Sequence, residues 1–161
     1  MGAGKTTIGR LLAKKLEWDF FDSDRVIEDR TGVDIALIFE KEGEEGFRMR
    51  EEKVIDELTQ KNHIVLATGG GAVLRKHNRA NLINRGTVFY LNSTIRDLVN
   101  RTSKDKKRPL LHGKESPKTV ITRLIEERDP IYLEIADHII NTSNSSIQAV
   151  IKDIIQHTTH T

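Results

Sequence analysis

The sequence predicts an α/β fold, a parallel sheet covered by helices on both faces. Three observations carry that expectation. Short apolar runs of strand type (Ile64–Ala67, Thr87–Leu91, His138–Asn141) alternate with longer segments whose apolar residues recur at helical spacing. Parallel neighbours need such helical crossovers, which then cover the sheet. The glycines gather in two places, one just before the first helical segment and one just after a strand, where open α/β sheets form their sites.

The elements follow in order. Ile8, Leu11, Leu12 and Leu16 predict a helix over 5–16. Trp18–Phe21 is a short aromatic strand ending in acids. Residues 23–60 read as helix in pieces, broken at Gly32 and Gly43, with Phe47, Val54, Ile55 and Leu58 on one face. Ile64–Ala67 is a strand that runs into Thr68-Gly69-Gly70-Gly71, and Thr87–Leu91 is another, followed by a helix from about Thr94. Ser116-Pro117 starts a helix, because Ser caps and Pro tolerates the first turn. Val120, Ile121, Leu124 and Ile125 form its buried stripe, and Pro130 is expected to end it. His138–Asn141 is the last strand, before a final helix carrying Ile147, Val150, Ile151, Ile154 and Ile155.

Composition bounds the function. At 161 residues and 37% hydrophobic, the chain supplies one core, hence a single domain over 1–161. The absence of Cys excludes disulfide scaffolds, thiolate zinc sites and thiol catalysis. No apolar run reaches the ~20 residues of a membrane span, and there is no signal core. A soluble cytoplasmic protein is expected. Residues 17–60 hold 15 acidic and 6 basic side chains, a net of −9, against +11 for the remainder and +2 for the whole. The basic remainder suits a polyanionic small ligand. Nucleic acid is not expected, since no basic run is interleaved with aromatics.

Met1-Gly2-Ala3-Gly4-Lys5-Thr6-Thr7 carries the second half of G-x-x-x-x-G-K-S/T. In that phosphate-binding loop the backbone N–H groups and the helix N-terminus cradle phosphate. Lys reaches the β- and γ-phosphates, and the first hydroxyl serves Mg²⁺. The motif's first Gly would fall one place before Met1, and no strand precedes it.

Asp22-Ser23-Asp24 stands at a strand's C-terminal end, where one acid can approach a metal and the other a second substrate. Asp24 or Ser23 as a helix cap is the alternative. Arg48 beside Phe47 can fork onto a carboxylate or pair at the surface with Glu44, Glu51 or Glu52. Gly69-Gly70-Gly71 admits either a ligand against the backbone or only a tight turn. Residues 102–116, with five bases against two acids, read as a mobile loop, and Arg108 as a lid residue or part of a solvated basic run. Arg128 extends the buried stripe of its helix and needs an anion, a buried acid or the helix C-terminus. His157 and His160 belong to a frayed Thr-rich end.

Taken in order, Gly-Ala-Gly-Lys-Thr-Thr, Asp22-Ser23-Asp24, Gly43-Glu44 with Phe47-Arg48, Gly69-Gly70-Gly71, Arg108-Pro109-Leu110-Leu111 and Arg128-Asp129-Pro130-Ile131-Tyr132 resemble shikimate kinase over essentially the whole chain. The resemblance implies an adenylate-kinase-like P-loop NTPase fold. It also implies MgATP-dependent phosphorylation of the 3-hydroxyl of shikimate, on the route to chorismate and aromatic amino acids. ATP and shikimate are the partners and Mg²⁺ the cofactor, in a cytoplasmic monomer with no membrane or nucleic-acid partner. The phosphate loop spans 1–7, the shikimate-binding subdomain about 23–60 and the lid about 102–116.

By matching position, Gly2, Ala3, Gly4, Lys5, Thr6 and Thr7 bind ATP phosphates, with Arg101 on the adenine side and Arg108 over the phosphates. Thr6 and Asp22 serve Mg²⁺, Asp22 through water. Asp24 contacts shikimate hydroxyls and is the base, so that Asp24, Lys5 and Arg108 are the catalytic set. Arg48 and Arg128 clamp the substrate carboxylate, and Gly69, Gly70 and Gly71 line it. The adenine loop falls at about Thr142–Ser145, where Ser143-Asn144-Ser145-Ser146 replaces a common Arg. Another small-molecule kinase, such as a gluconate kinase, and an inactive nucleotide-binding fragment are the competing readings.

The family's N-terminal strand is central, between its third and fourth strands, and nothing in this sequence fills that place. The chain is therefore expected to be a shortened form of a protein about ten residues longer. A gap at the sheet's centre, or two strands forced together there, is the structural expectation, and weak ATP binding with poor expression the biochemical one.

Overall fold

The computed structural model describes residues 3–103 and 113–158. Helix α1 (Lys5–Leu16) buries Ile8, Leu12 and Ala13 and leads to β1 (Asp19–Asp22). Helix α2 (Ser23–Thr31) follows, then α3 (Ile35–Leu58), which departs from helical geometry at Gly43 (φ 72°, ψ 179°). Strand β2 (Ile64–Ala67) runs through the glycines into a 3₁₀ turn (Ala72–Leu74) and α4 (Lys76–Arg85). Then come β3 (Phe89–Asn92), α5 (Ile95–Thr102), α6 (Pro117–Ile135), β4 (His138–Asn141) and α7 (Ile147–Thr158). The expected elements are all present. The segment 72–85, for which the sequence suggested none, supplies the 3₁₀ turn and α4.

One expectation needs correction. Pro130 does not end its helix: α6 continues to Ile135. Pro130 is on the exposed face, so the carbonyl deprived of its N–H partner can turn to water. Buried Leu124, Arg128 and Ile135 anchor the helix on either side. Among the described residues the strands form two parallel pairs, β1 with β2 and β3 with β4, each in register over four residues.

Of the two central arrangements expected, the structure has the gap. A cavity of about 470 Å³ lies between β2 and β3. It is lined by both strands and by α1 (Ile8, Leu12), α6 (Tyr132, Ile135) and α7 (Ile154). Arg85, just before β3, donates to the Asp56 backbone carbonyl (3.0 Å) and the Thr59 hydroxyl (3.0 Å), just before β2. The two strands therefore begin at the same end of the cleft.

Helix α1 bridges the halves. It packs on β1, β2 and α7, and Ile8 and Leu12 share one apolar cluster with Ile140, Val150, Ile151 and Ile154, against which Val65, Phe89 and Leu91 pack. A second cluster (Ile27, Ile38, Phe47, Val54, Leu58) holds α2 and α3 against Phe21 and Leu66. The third joins Ala3 and Leu98 to Val120, Ile121 and Leu124 of α6. Each fully buried aliphatic side chain contributes about 1.5–3 kcal/mol.

A parallel strand sends alternate amides to opposite sides. About half the amides of β2 and β3 should then face the cleft and exchange with solvent deuterium well before those in the β1–β2 and β3–β4 ladders. Uniform protection along both strands would show that the cleft edges are hydrogen-bonded in solution.

Candidate active site

Every strand ends at the same functional edge. Asp22 closes β1, the glycine turn follows β2, Ser93 follows β3 and Thr142 follows β4, the arrangement from which open α/β sheets bind ligands. Gly4 takes a left-handed conformation (φ 85°) at the start of α1, which has no side-chain cap and no acid in its first turn. Its first N–H groups are thus left for an anion. Lys5, Thr6 and Thr7 open that helix. Gly2 and Arg108 lie outside the described residues, as does most of the 102–116 segment.

Asp22 does two things. Its Oδ1 accepts from the N–H of Asp24 (3.0 Å) and Arg25 (3.4 Å), and its Oδ2 accepts from the Thr6 hydroxyl (2.8 Å). The cap of α2 is therefore Asp22, not Ser23 or Asp24. Ser23 is instead fully buried and accepts from the Gly69 N–H (3.3 Å). Asp24 is turned toward the glycine turn: a Cβ at Gly69 would lie 2.9 Å from its Oδ1.

Arg48 is buried, not part of a surface pair. It donates to Glu51 Oε1 (2.8 Å) and to Glu44 (3.2 Å), with Glu51 fully buried and Arg48 nearly so. A Cβ on Gly71 would overlap the Arg48 guanidinium. Protein charges lie where a Cβ at 69 or 71 would stand, a crowding the sequence, which left open a ligand or a tight turn, did not show. Glu51 Oε2 has no hydrogen-bond partner and would stand 3.2 Å from a Cβ at Gly69. Burial pushes the Glu51 carboxyl up to about 6, with the Asp24 charge adding to the rise and Arg48 and Arg128 opposing it.

Arg128 is buried on α6, and its Nε has no partner. One turn further on, the Tyr132 hydroxyl donates to the Gly70 carbonyl (2.6 Å), and its ring packs on Tyr90 at 4.9 Å. At the far end, Arg101 donates to Ser93 Oγ (3.3 Å). Ser93 pairs with Thr142, and Ser143 donates to Asp97 (2.7 Å). Arg101 is thus linked to Thr142 through Ser93.

The sequence reading missed Glu51 and Tyr132. Both carry a visible signal: Glu51 interrupts the apolar stripe of Phe47, Val54 and Leu58, and Tyr132 continues the stripe of Leu124 and Arg128. Among the described residues no group of three or more His, Cys, Asp or Glu side chains could hold a metal. Thr6 and Asp22 offer a hydroxyl and a carboxylate oxygen 2.8 Å apart. That hard-oxygen set fits Mg²⁺ completed by phosphate and water.

The raised Glu51 pKa has a sign. Folding favours its protonated form, so this stability is present below about pH 4.5 and lost as pH rises through about 6. The loss is on the order of 2 kcal/mol. Urea melts of wild type and Glu51→Gln should therefore differ by a margin that falls by about that much, against wild type, between pH 4.5 and pH 7. A pH-independent margin would refute the ionisation of Glu51 in this site.

A family model for shikimate kinase matches residues 1–159. The shikimate kinase of Photobacterium profundum is 56% identical over 155 residues, covering 96% of this chain and 88% of that protein. The solved shikimate kinase from Acinetobacter baumannii in complex with shikimate superposes with a TM-score of 0.95 at 46% identity, covering 99% of this chain and 89% of that one. A gluconokinase from Sinorhizobium meliloti shares the fold alone, at a TM-score of 0.65 and 12% identity. With a buried arginine against a triple-glycine turn and matches of this length, the chain belongs to the shikimate kinase family.

Proposed function

We propose that this chain transfers the γ-phosphoryl group of ATP to the 3-hydroxyl of shikimate, giving shikimate 3-phosphate and ADP. The observation that carries the reading is the placement of Asp24 and buried Arg48 against the Gly69–Gly71 turn, with buried Arg128 beside the Tyr132 that holds Gly70. Shikimate is a small carboxylate with three hydroxyls. Arg128, whose Nε is unpartnered, and Arg48 bind the carboxylate, and Asp24 binds hydroxyls.

The backbone from Gly2 to Thr7 and the Lys5 ammonium hold the ATP phosphates, with Arg108 as the further phosphate contact and Arg101 on the adenine side. Thr6 and Asp22 would hold Mg²⁺, which when bound would neutralise phosphate charge. Asp24 accepts the proton of the attacking hydroxyl as the new O–P bond forms and the bond to ADP breaks. In a loose transition state, positioning and charge neutralisation outweigh that base. The reading includes a cytoplasmic monomer; small soluble substrates support it, and among the described residues no helix is long and apolar enough to cross a membrane.

ADP release should be stimulated by shikimate and not by gluconate. The reverse preference would overturn the reading. Arg128→Ala should raise KM for shikimate strongly and leave KM for ATP nearly unchanged, since a half-unpaired carboxylate in a dry site costs about 2–5 kcal/mol. Arg48→Ala is the poorer probe, because it strands fully buried Glu51 and should also cost about 3–5 kcal/mol of stability. Asp24→Asn should lower kcat by about 10²–10⁴-fold with little effect on ATP affinity. A fall under about tenfold would make Asp24 a positioning group, not the base.

A further inference from the structure

Three carbonyls project from the glycine turn, and each has its own partner. Gly69 O accepts from Ala72 N–H (3.1 Å) and Gly71 O from Leu74 N–H (3.1 Å), both local backbone contacts. Gly70 O is held by a side chain from the other half of the molecule, the Tyr132 hydroxyl at 2.6 Å. Neither Gly70 nor Gly71 has a Cβ to bias its dihedrals, so the peptide joining them depends on that bond for its orientation. Because the peptide is planar and trans, fixing the Gly70 carbonyl points the Gly71 N–H the opposite way, away from Tyr132.

Tyr132 is itself well held. Its ring lies 4.9 Å from that of Tyr90, at 37°, and the Tyr90 hydroxyl donates to Asp129 Oδ1 (2.6 Å). The guanidinium of Arg128, one helical turn earlier, sits beside the Tyr132 phenol. Burial holds that phenol above its ordinary pKa, so it remains a neutral donor.

We propose that Tyr132 is a positioning residue for the carboxylate end of the substrate: its hydroxyl orients the Gly70–Gly71 peptide and backs the Arg128 guanidinium, setting the glycine turn and that arginine in fixed register. The inference rests on the reading of Arg128 and the glycine turn as the shikimate site. Tyr132 touches the turn and the arginine, and acts on substrate only through them.

Tyr132→Phe removes the hydroxyl and keeps the ring on Tyr90. KM for shikimate should rise about three- to tenfold, the worth of one hydrogen bond, with KM for ATP unchanged and the melting temperature lowered by no more than the loss of that one bond. With the carboxamide of shikimate in place of shikimate, the variant's deficit should disappear, because the carboxylate contact that Tyr132 sets is already gone. A purely structural role would instead raise both KM values, and the deficit would persist with the carboxamide.

If wild type turns over no shikimate, the functional reading falls and this inference with it. If wild type is active and the variant matches it, this inference alone falls. Should the variant not fold, the wild-type chain still decides. It has only two tyrosines, so 3-fluorotyrosine labelling gives two ¹⁹F resonances, assigned with Tyr90→Phe. The Tyr132 resonance should shift with shikimate and stay in place with the carboxamide. A resonance indifferent to shikimate would overturn the proposal.

Discussion

Three residues without side chains let four polar groups reach one turn. Asp24 and Glu51 press on Gly69, Tyr132 holds Gly70 and Arg48 lies against Gly71. Adding one methyl at Gly71 would displace the Arg48 guanidinium, which is hydrogen-bonded to fully buried Glu51. Removing either partner from a buried pair leaves an uncompensated charge, at about 3–5 kcal/mol. The turn, the arginine and the glutamate therefore hold together as a unit, and the placement of Asp24 depends on all three. Glu51 Oε2, and Arg128 Nε beside Tyr132, have no hydrogen-bond partner. Buried atoms of that kind are costly unless something completes them. A ligand offering a carboxylate and hydroxyls completes both.

That unit draws on both halves of a divided sheet. Ser23, Asp24, Arg48 and Glu51 come from the elements around β1 and β2, while Arg128 and Tyr132 come from α6. With β2 and β3 facing each other across a cavity, strand pairing does not set the distance between these groups. Helix α1 does so through Ile8 and Leu12, and Tyr132 does so at the turn itself.

Local chemistry was legible and pairwise geometry was not. Ser116-Pro117, Thr94 and the apolar stripes marked their helices correctly, since capping and periodicity are properties of a few adjacent residues. Pro130 misled because a one-dimensional rule cannot tell an exposed helix face from a buried one. The cap of α2 misled for a related reason: Asp22, Ser23 and Asp24 are all good caps by type. The choice fell to Asp22, held from its other oxygen by Thr6, sixteen residues away. Arg48 and Glu51 are three apart on one helix, a spacing that by itself describes an ordinary surface pair. The packing of the glycine turn against them is what makes the pair buried.

Asp22 links the two chemical roles of the site. One oxygen accepts from Thr6 at the head of the phosphate loop, and the other accepts from the backbone of Asp24 in the first turn of α2. On the proposed reading, the group that would face the phosphate and the group that would face the acceptor hydroxyl are joined through a single carboxylate. Phosphoryl transfer needs donor and acceptor aligned more closely than either needs to be tightly held. Joining them through one side chain meets that requirement.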